Sequence, residues 1–263
     1  MAVLTSEAVV LRTWPVHEAD LIVSFFTRDF GRMKGVAKAA LKSRKRFGGA
    51  LEPMTLTKAW FAERPRQELV RLDQLEIIRS PLSAPVDHAR MTVLSFFAEV
   101  IDEALPERDP QETVFRLLVS VLEQTRAVEK SLWSQNRDQG HPEYGPWMAA
   151  TYFSLWMTRL MGLLPDIGHC IVCGEGLSGE EISYSNYTDG FFCALHRNGS
   201  AKTLSPDSWQ LAQRMLKAPA SAFAAEPWTR KRGLDLRRFT LQTLERHLEK
   251  RLKTAEALAR LGG

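Results

Sequence analysis

Hydrophobic periodicity changes character once along this chain, near Ser80. Before that point, short runs rich in β-branched and aromatic residues recur at roughly ten-residue spacing, with turn residues between them. Glu7–Trp14 is the first and Leu21–Thr27 the second, separated by the polar turn His17-Glu18-Ala19-Asp20. Asp29-Phe30-Gly31 turns the chain into Arg32–Ala37. Met54–Phe61 follows, with Met54, Leu56, Lys58 and Trp60 alternating, and Glu63–Arg66 turns into Leu69–Ile78. Five such strands read as a small barrel or sandwich, and a five-stranded barrel of this size is compatible with an OB-fold. After Ser80 the apolar residues recur at helical spacing instead. His88–Leu105 is one helix, and Val114, Leu117, Leu118, Val121, Leu122 and Val128 mark a second. Trp147–Leu164 is apolar almost all round, as in a buried central helix, and Pro165 stops it. A shorter helix falls near Asp207–Leu216. Leu241, Leu244, Leu248 and Leu252 mark a last one, whose outer face holds Arg237, Arg238, Arg246, Lys250 and Arg251. The expected fold class is therefore α+β and multidomain, with a β-barrel over residues 1–80 and a helical domain over 81–263.

The charge is unevenly placed. The net charge of the 263 residues is only +4, yet Phe30–Leu51 holds seven Lys or Arg and no acid. Thr229–Gly263 has ten basic and four acidic residues, so the rest of the chain carries −9. Two positive blocks on an acidic body point toward a polyanion, nucleic acid first. The first block falls between the third and fourth strands. Its Lys34, Lys38, Lys42, Arg44, Lys45 and Arg46 cannot all point inward, so the connection should lie on the surface and be mobile. Such cations neutralise phosphates and release counterions, giving salt-sensitive and sequence-tolerant binding. Trp14, Phe30, Phe47, Trp60 and Phe61 lie in or near these strands, and an exposed ring among them would stack on an unpaired base. A lone aromatic is more often core, so the basic block carries the expectation and no single ring does. The C-terminal cations, Arg230–Arg238 and Lys250–Lys253, would extend a DNA track or receive an acidic peptide.

All three cysteines lie in one segment. Cys170-Ile-Val-Cys173 is followed by Cys193-Ala-Leu-His196. Two such knuckles are what a closed tetrahedral zinc site requires, because each tight turn aims two ligands at one ion. Thiolates favour zinc over magnesium or calcium, and a Cys3His set with no open position is structural. Metal would contribute ~10–16 kcal/mol of apparent binding energy to local folding. The segment at about 166–200 thus reads as a zinc-knuckle hairpin inserted in the helical domain, with Thr188-Asp189-Gly190 as its turn. His169 competes with His196 for the fourth place; the symmetry of the spacing favours His196.

Several classes are disfavoured. No apolar run approaches the ~20 residues that span a bilayer, and the first residues lack the pattern of a secretory signal. An odd cysteine count speaks against a disulfide framework and for a reducing cytosol. There is no P-loop, no G-x-G-x-x-G and no G-x-S-x-G. His141-Pro-Glu143 before the C-x2-C resembles a zinc nucleobase deaminase signature. Against that reading, position 169 is His and not Pro, glycines follow Cys173, and Cys193 and His196 would have no role.

The order of these parts resembles the RecO family of bacterial DNA repair and recombination mediators, over essentially the whole chain. The stretches that carry the resemblance are EAVVLRTWPVHEADLIVSFFTRDFGRMKGVAKAALKSRKR and GLLPDIGHCIVCGE. The resemblance implies an N-terminal OB-fold, a helical C-terminal domain and often a zinc site, commonly all-Cys, where this chain has His196. It implies a non-enzymatic, cytoplasmic, nucleoid-associated protein. Such a protein binds single- and double-stranded DNA, anneals complementary strands and acts with RecR. It helps RecA recombinase replace single-strand-binding protein. A zinc-stabilised scaffold that binds only acidic proteins is the alternative from another class.

Overall fold

The computed structural model describes residues 2–63, 67–83, 87–125, 144–178, 182–185, 188–197, 199, 201–229 and 231–261. Among these, eight strands and six α-helices divide between two compact units, Met1–Leu122 and Glu123–Gly263.

In the first unit, β1 (Val3–Pro15), β2 (Leu21–Thr27), β3 (Gly31–Ala37), β4 (Leu56–Ala62) and β5 (Val70–Arg79) close into a barrel of order β1-β2-β3-β5-β4. β1 pairs with both β2 and β4, which leaves the sheet without a free edge. β3 meets β5 in the one parallel pairing of the ring. The two-residue alternation sends Ala8, Val10, Val23, Phe25, Met33, Phe61, Val70 and Leu72 inward, where the Phe25 and Phe61 rings meet edge-on. The expected alternation Met54-Leu56-Lys58-Trp60 proves to be the outward face of β4. Ala59 and Phe61 enter the core, and Met54 lies before the strand at φ +64°.

The connection between β3 and β4 is built differently from the expected mobile loop. Ala40, Phe47 and Ala50 reach into the barrel core, and a short 3-10 turn, Gly48–Leu51, follows Phe47. The Arg46 carbonyl accepts from the Leu75 amide at 2.9 Å and the Ala19 carbonyl from the Leu41 amide at 3.2 Å. Apolar burial thus pins the segment while its charged residues face outward.

Helices α1 (His88–Ala104) and α2 (Glu112–Gln124) cover one part of the barrel's outer surface. α1 begins at Asp87, whose side chain accepts from the Arg90 amide. Near its end, Asp102 accepts from the Ser24 hydroxyl at 2.7 Å and pairs with Arg12 and Arg32. Phe26 packs on Phe115 of α2, with centroids 5.6 Å apart. Of the second expected helix, Val128 lies outside the described residues.

In the second unit, α3 (Tyr144–Leu160) is buried nearly all round. It ends earlier than Pro165: Gly162 takes φ +72°, and the Leu163 and Leu164 amides fold back on the Thr158 carbonyl. The expected hairpin is a three-stranded sheet of order β7-β6-β8, formed by β6 (Ile182–Ser185), β7 (Thr188–Phe192) and β8 (Lys202–Leu204). Ser185 pairs with Thr188, so Thr188–Gly190 is already strand and not the turn. α4 (Pro206–Met215) is capped by Ser205. The expected last helix divides into α5 (Leu234–Leu248) and α6 (Lys253–Leu261), with Glu249 at φ +50° between them. Leu252 is therefore in the connection, where it is buried. Arg237, expected on the outer face of α5, is 4% exposed. Its guanidinium donates to the Thr151 hydroxyl at 2.7 Å and the Arg232 carbonyl at 2.8 Å, and lies over the Trp147 ring.

Candidate metal centre and nucleic-acid interface

Cys170, Cys173, Cys193 and His196 come together with their ligand atoms all within 4.8 Å of one another. Their convergence has a backbone cause. The Ile171 amide donates to the Phe191 carbonyl at 2.9 Å, tying the first knuckle to β7 two residues before Cys193. The first knuckle closes on itself, with the Cys170 amide on the Glu175 carbonyl at 2.9 Å and the Gly174 amide on the Cys170 carbonyl at 2.8 Å. Gly190 lets the two parts touch: a Cβ there would lie 2.6 Å from Ile171 Cβ. The second knuckle is a 3-10 turn, Ala194–His196.

The donor set fits a metal ion. His196 Nδ1 lies 3.2 Å from Cys193 Sγ and 3.8 Å from Cys170 Sγ. Bonds of about 2.0–2.3 Å in a tetrahedron give ligand–ligand edges of roughly 3.5–3.8 Å, so small adjustments would seat zinc. Burial pushes the Cys170 thiol up, but amide hydrogen bonds from Cys173, Cys193 and Val172 outweigh it and bring it to about 6. At Cys173 the Glu175 amide favours the thiolate, yet burial and the neighbouring sulfurs outweigh it and the thiol is raised. The Cys170 and Cys173 thiols are thus pushed in opposite directions by their shared surroundings, and a divalent cation between them would favour the thiolate at both. His169 stands outside the cluster, exposed, with its Nδ1 2.8 Å from Asp166 Oδ2. His141 and Glu143, of the deaminase comparison, lie outside the described residues. Cys193 and His196, which that comparison leaves idle, are half of the cluster.

The basic block separates into two groups. Lys38, Lys42, Arg44 and Lys45 are exposed and form no ion pair with the described residues. Lys34 and Arg46 are half-buried and engaged. Lys34 Nζ is 2.8 Å from Glu107 Oε1, and that hydrogen bond holds the Glu107 carboxyl below its ordinary value. Arg46 donates to Ser43 Oγ at 3.0 Å and to the Lys38 carbonyl at 2.6 Å, with its guanidinium over the Phe47 ring. Of the rings considered for base stacking, Phe47 and Phe61 are core, Phe30 and Trp60 are half-buried, and Trp14 is 38% exposed.

The C-terminal cations are likewise divided. Arg232 pairs with Glu226 at 2.6 Å, Arg246 with Asp189, and Arg237 is buried. Lys231, Arg238, Lys250, Arg251 and Lys253 are exposed. Sequence reasoning could not assign Arg237 inward, because its helical position matched a charged stripe. The Thr151 hydroxyl and the Trp147 ring that receive it lie eighty-six and ninety residues back along the chain.

The barrel, followed along the chain by a helical unit that carries a Cys3His cluster, matches the models of one class of recombination proteins. The family model described as Recombination protein O N terminal matches residues 1–81, and Recombination protein O C terminal matches 85–256. The protein named DNA repair protein RecO from Koribacter versatilis (strain Ellin345) is 48% identical, covering 97% of this chain and 98% of its own length. Its namesake in Anaeromyxobacter sp. (strain K) is 30% identical over 97% of this chain and 95% of its own length. The one in Thermoanaerobacter sp. (strain X514) is 29% identical over 75% and 73%. This chain belongs to the RecO family of DNA repair proteins. Among the described residues, no helix is long and apolar enough to cross a membrane.

Proposed function

We propose that this protein is a non-enzymatic, cytoplasmic DNA-binding mediator of recombination. It binds single- and double-stranded DNA, anneals complementary strands, and helps load RecA onto DNA coated with single-strand-binding protein, with RecR as partner. The observation that carries the reading is the group Lys38, Lys42, Arg44 and Lys45, held outward at one end of a closed five-stranded barrel by the buried anchor Phe47. The strand order β1-β2-β3-β5-β4 supports an OB-fold assignment for that barrel. Phosphates held on fixed cations repel one another less, so two strands approach, and no bond is made or broken. Lys34 acts here by shaping the segment, since Glu107 already pairs its charge; Arg46 shapes it through neutral partners, the Ser43 hydroxyl and the Lys38 carbonyl, and keeps its charge for a phosphate.

Zinc is the metal proposed for the Cys3His cluster, in a structural role. Bound there, it would join the first knuckle to the end of β7 and so fix the sheet against α5. Tyr184 and Phe191 already pack on Phe239 of that helix, at 4.8 and 5.0 Å between centroids.

The test is titration of a fluorescent single strand and a duplex at several salt concentrations, with wild type and with Lys42, Arg44 and Lys45 changed together to Gln. Loss of three phosphate contacts flattens the log–log salt slope by about 2–3 and weakens binding to all sequences. Unchanged affinity and slope in the variant would remove this segment from the footprint. No binding by wild type would leave the scaffold reading, in which the basic blocks take only acidic proteins. Annealing of coated complementary strands, with and without the protein, tests the mediator step.

A further inference from the structure

Among the described residues of the first unit, the outer face of β1-β2-β3 is covered along only part of its length. Strand pairing sets Arg12 opposite Ser24 and Ser24 opposite Lys34. This row is occupied: Asp102 of α1 binds Arg12 and Ser24, and Glu107 binds Lys34. Two residues further along, the pairing sets Trp14 opposite Ile22 and Ile22 opposite Val36. Trp14 is 38% exposed, and Ile22 and Val36 are half-buried. Three strands span about 10 Å, so this row is an apolar strip wide enough to seat one base.

Its surroundings are specific. The row lies at the end of the barrel where β1 stops at Pro15, β2 starts at Leu21 and β3 stops at Ala37. Lys38 is the next residue after β3. The Leu41 amide is bonded to the Ala19 carbonyl, which brings the turn carrying Lys38 and Lys42 beside the β1–β2 connection. Leu41 is 62% exposed and Val16 is 44% exposed at the same end. Of the acids nearby, Asp20 is engaged with the Ala39 amide at 2.7 Å, and Asp73 holds the guanidinium of Arg71, the next residue across from Val36. Glu18 is exposed in the connection. The other outward tryptophan, Trp60, is placed differently. Lys58 already lies over its ring, and the neighbouring row pairs Lys58 with Glu7 and Glu76.

We propose that Trp14, Ile22 and Val36 form a stacking platform for an unpaired base of single-stranded DNA, with Lys38 and Lys42 holding the flanking phosphates. The inference rests on the DNA-binding reading and divides its two substrates. An unpaired base exposes its π-face to the ring, whereas a base within a duplex has both faces covered by its neighbours. The cations serve both forms of DNA; the platform serves one.

The experiment uses the full zinc-loaded chain, a short oligothymidine and a blunt duplex. Trp14→Ala should weaken the single strand about ten-fold and leave the duplex within two-fold, and Trp14→Phe should keep most of the single-strand affinity. Photocrosslinking of wild type to an oligothymidine carrying one iodouracil should give an adduct on Trp14. Equal losses on both DNAs, or an adduct that maps elsewhere, overturns the platform. Wild type that binds while Trp14→Ala matches it also overturns the platform but spares the basic segment. Wild type that binds neither DNA overturns the underlying reading.

Discussion

At the scale of single residues, the places where side chains have least freedom are those where distant segments meet. Gly31 has φ +72°, and a Cβ there would lie 2.2 Å from the Asp109 carbonyl oxygen and 2.6 Å from the Asp109 nitrogen. Backbone cannot move aside as a side-chain tip can. Gly31→Ala should therefore cost about 3 kcal/mol or more, the sum of left-handed strain and a clash. Urea denaturation followed by circular dichroism checks this, and a loss under 1 kcal/mol would show that the segment after α1 yields. Arg237 is the polar counterpart. Its burial depresses the guanidinium to about 10, and Asp235 opposes that shift. Removing it leaves the Thr151 hydroxyl and the Arg232 carbonyl with a partner fewer and a void against Trp147. Arg237→Ala should cost about 2–4 kcal/mol, and Arg237→Lys should recover only part, because one ammonium cannot reproduce a planar fork. A neutral Arg237→Ala would mean that Arg237 lies in solvent, as its place in a basic stripe suggested.

At the scale of elements, the same carboxylate joins two helices. Asp235, at the start of α5, accepts from the Ser205 amide at 2.6 Å, from the Ser208 hydroxyl and from the Leu236 amide at 3.1 Å. Burial alone would raise its carboxyl; the hydrogen bonds from Ser208 and Ser205 outweigh it and hold the group below its ordinary value. The unfolded chain then binds more protons in acid, so this stability is present above about pH 4 and is lost as pH falls through the depressed folded value. Asp235→Asn should cost about 1–2 kcal/mol at pH 7, the lower range because the site is half open to solvent. It should also flatten the acid limb of stability against pH, without abolishing it while Glu107 and Glu226 remain. Parallel acid limbs in variant and wild type would assign the effect to those other groups. Elements of this kind were legible from sequence where one physical rule decides them. Leu21–Thr27 reads as a strand because it is apolar, β-branched and flanked by turns, and it is one. The four metal-type ligands were legible because knuckle spacing is local. The third strand, Lys202–Leu204, was not, since three residues carry no period. Nor was the break at Glu249, where Leu252 continues the leucine stripe although the chain has turned. The burial of Phe47 agrees with the rule that a lone aromatic is more often core, but the place it fills was not legible, because the residues around it are cationic and only the closed barrel supplies the hollow.

At the scale of the whole molecule, two divisions of the chain do not coincide. The family models meet between residues 81 and 85, while the compact units divide between Leu122 and Glu123. The difference is α1 and α2, which belong to the second model by sequence and to the barrel by packing. A barrel cut at residue 81 would lose Asp102, leaving Arg12, Ser24 and Arg32 without that partner, and would expose Phe26 where Phe115 now covers it. Burying Phe26 alone contributes about 2 kcal/mol, a large share of the stability of so small a domain. A fragment ending at residue 125 should therefore melt cooperatively, and one ending at 81 should bind a hydrophobic dye and show no sharp transition. The longer fragment also keeps Lys38, Lys42, Arg44, Lys45 and Trp14 and lacks every cation after residue 125. If the barrel end is the footprint, that fragment should keep the single-strand preference of the whole chain and most of its salt slope. A slope reduced by half or more would move the main phosphate track to Lys231, Arg238 and the cations beyond α5.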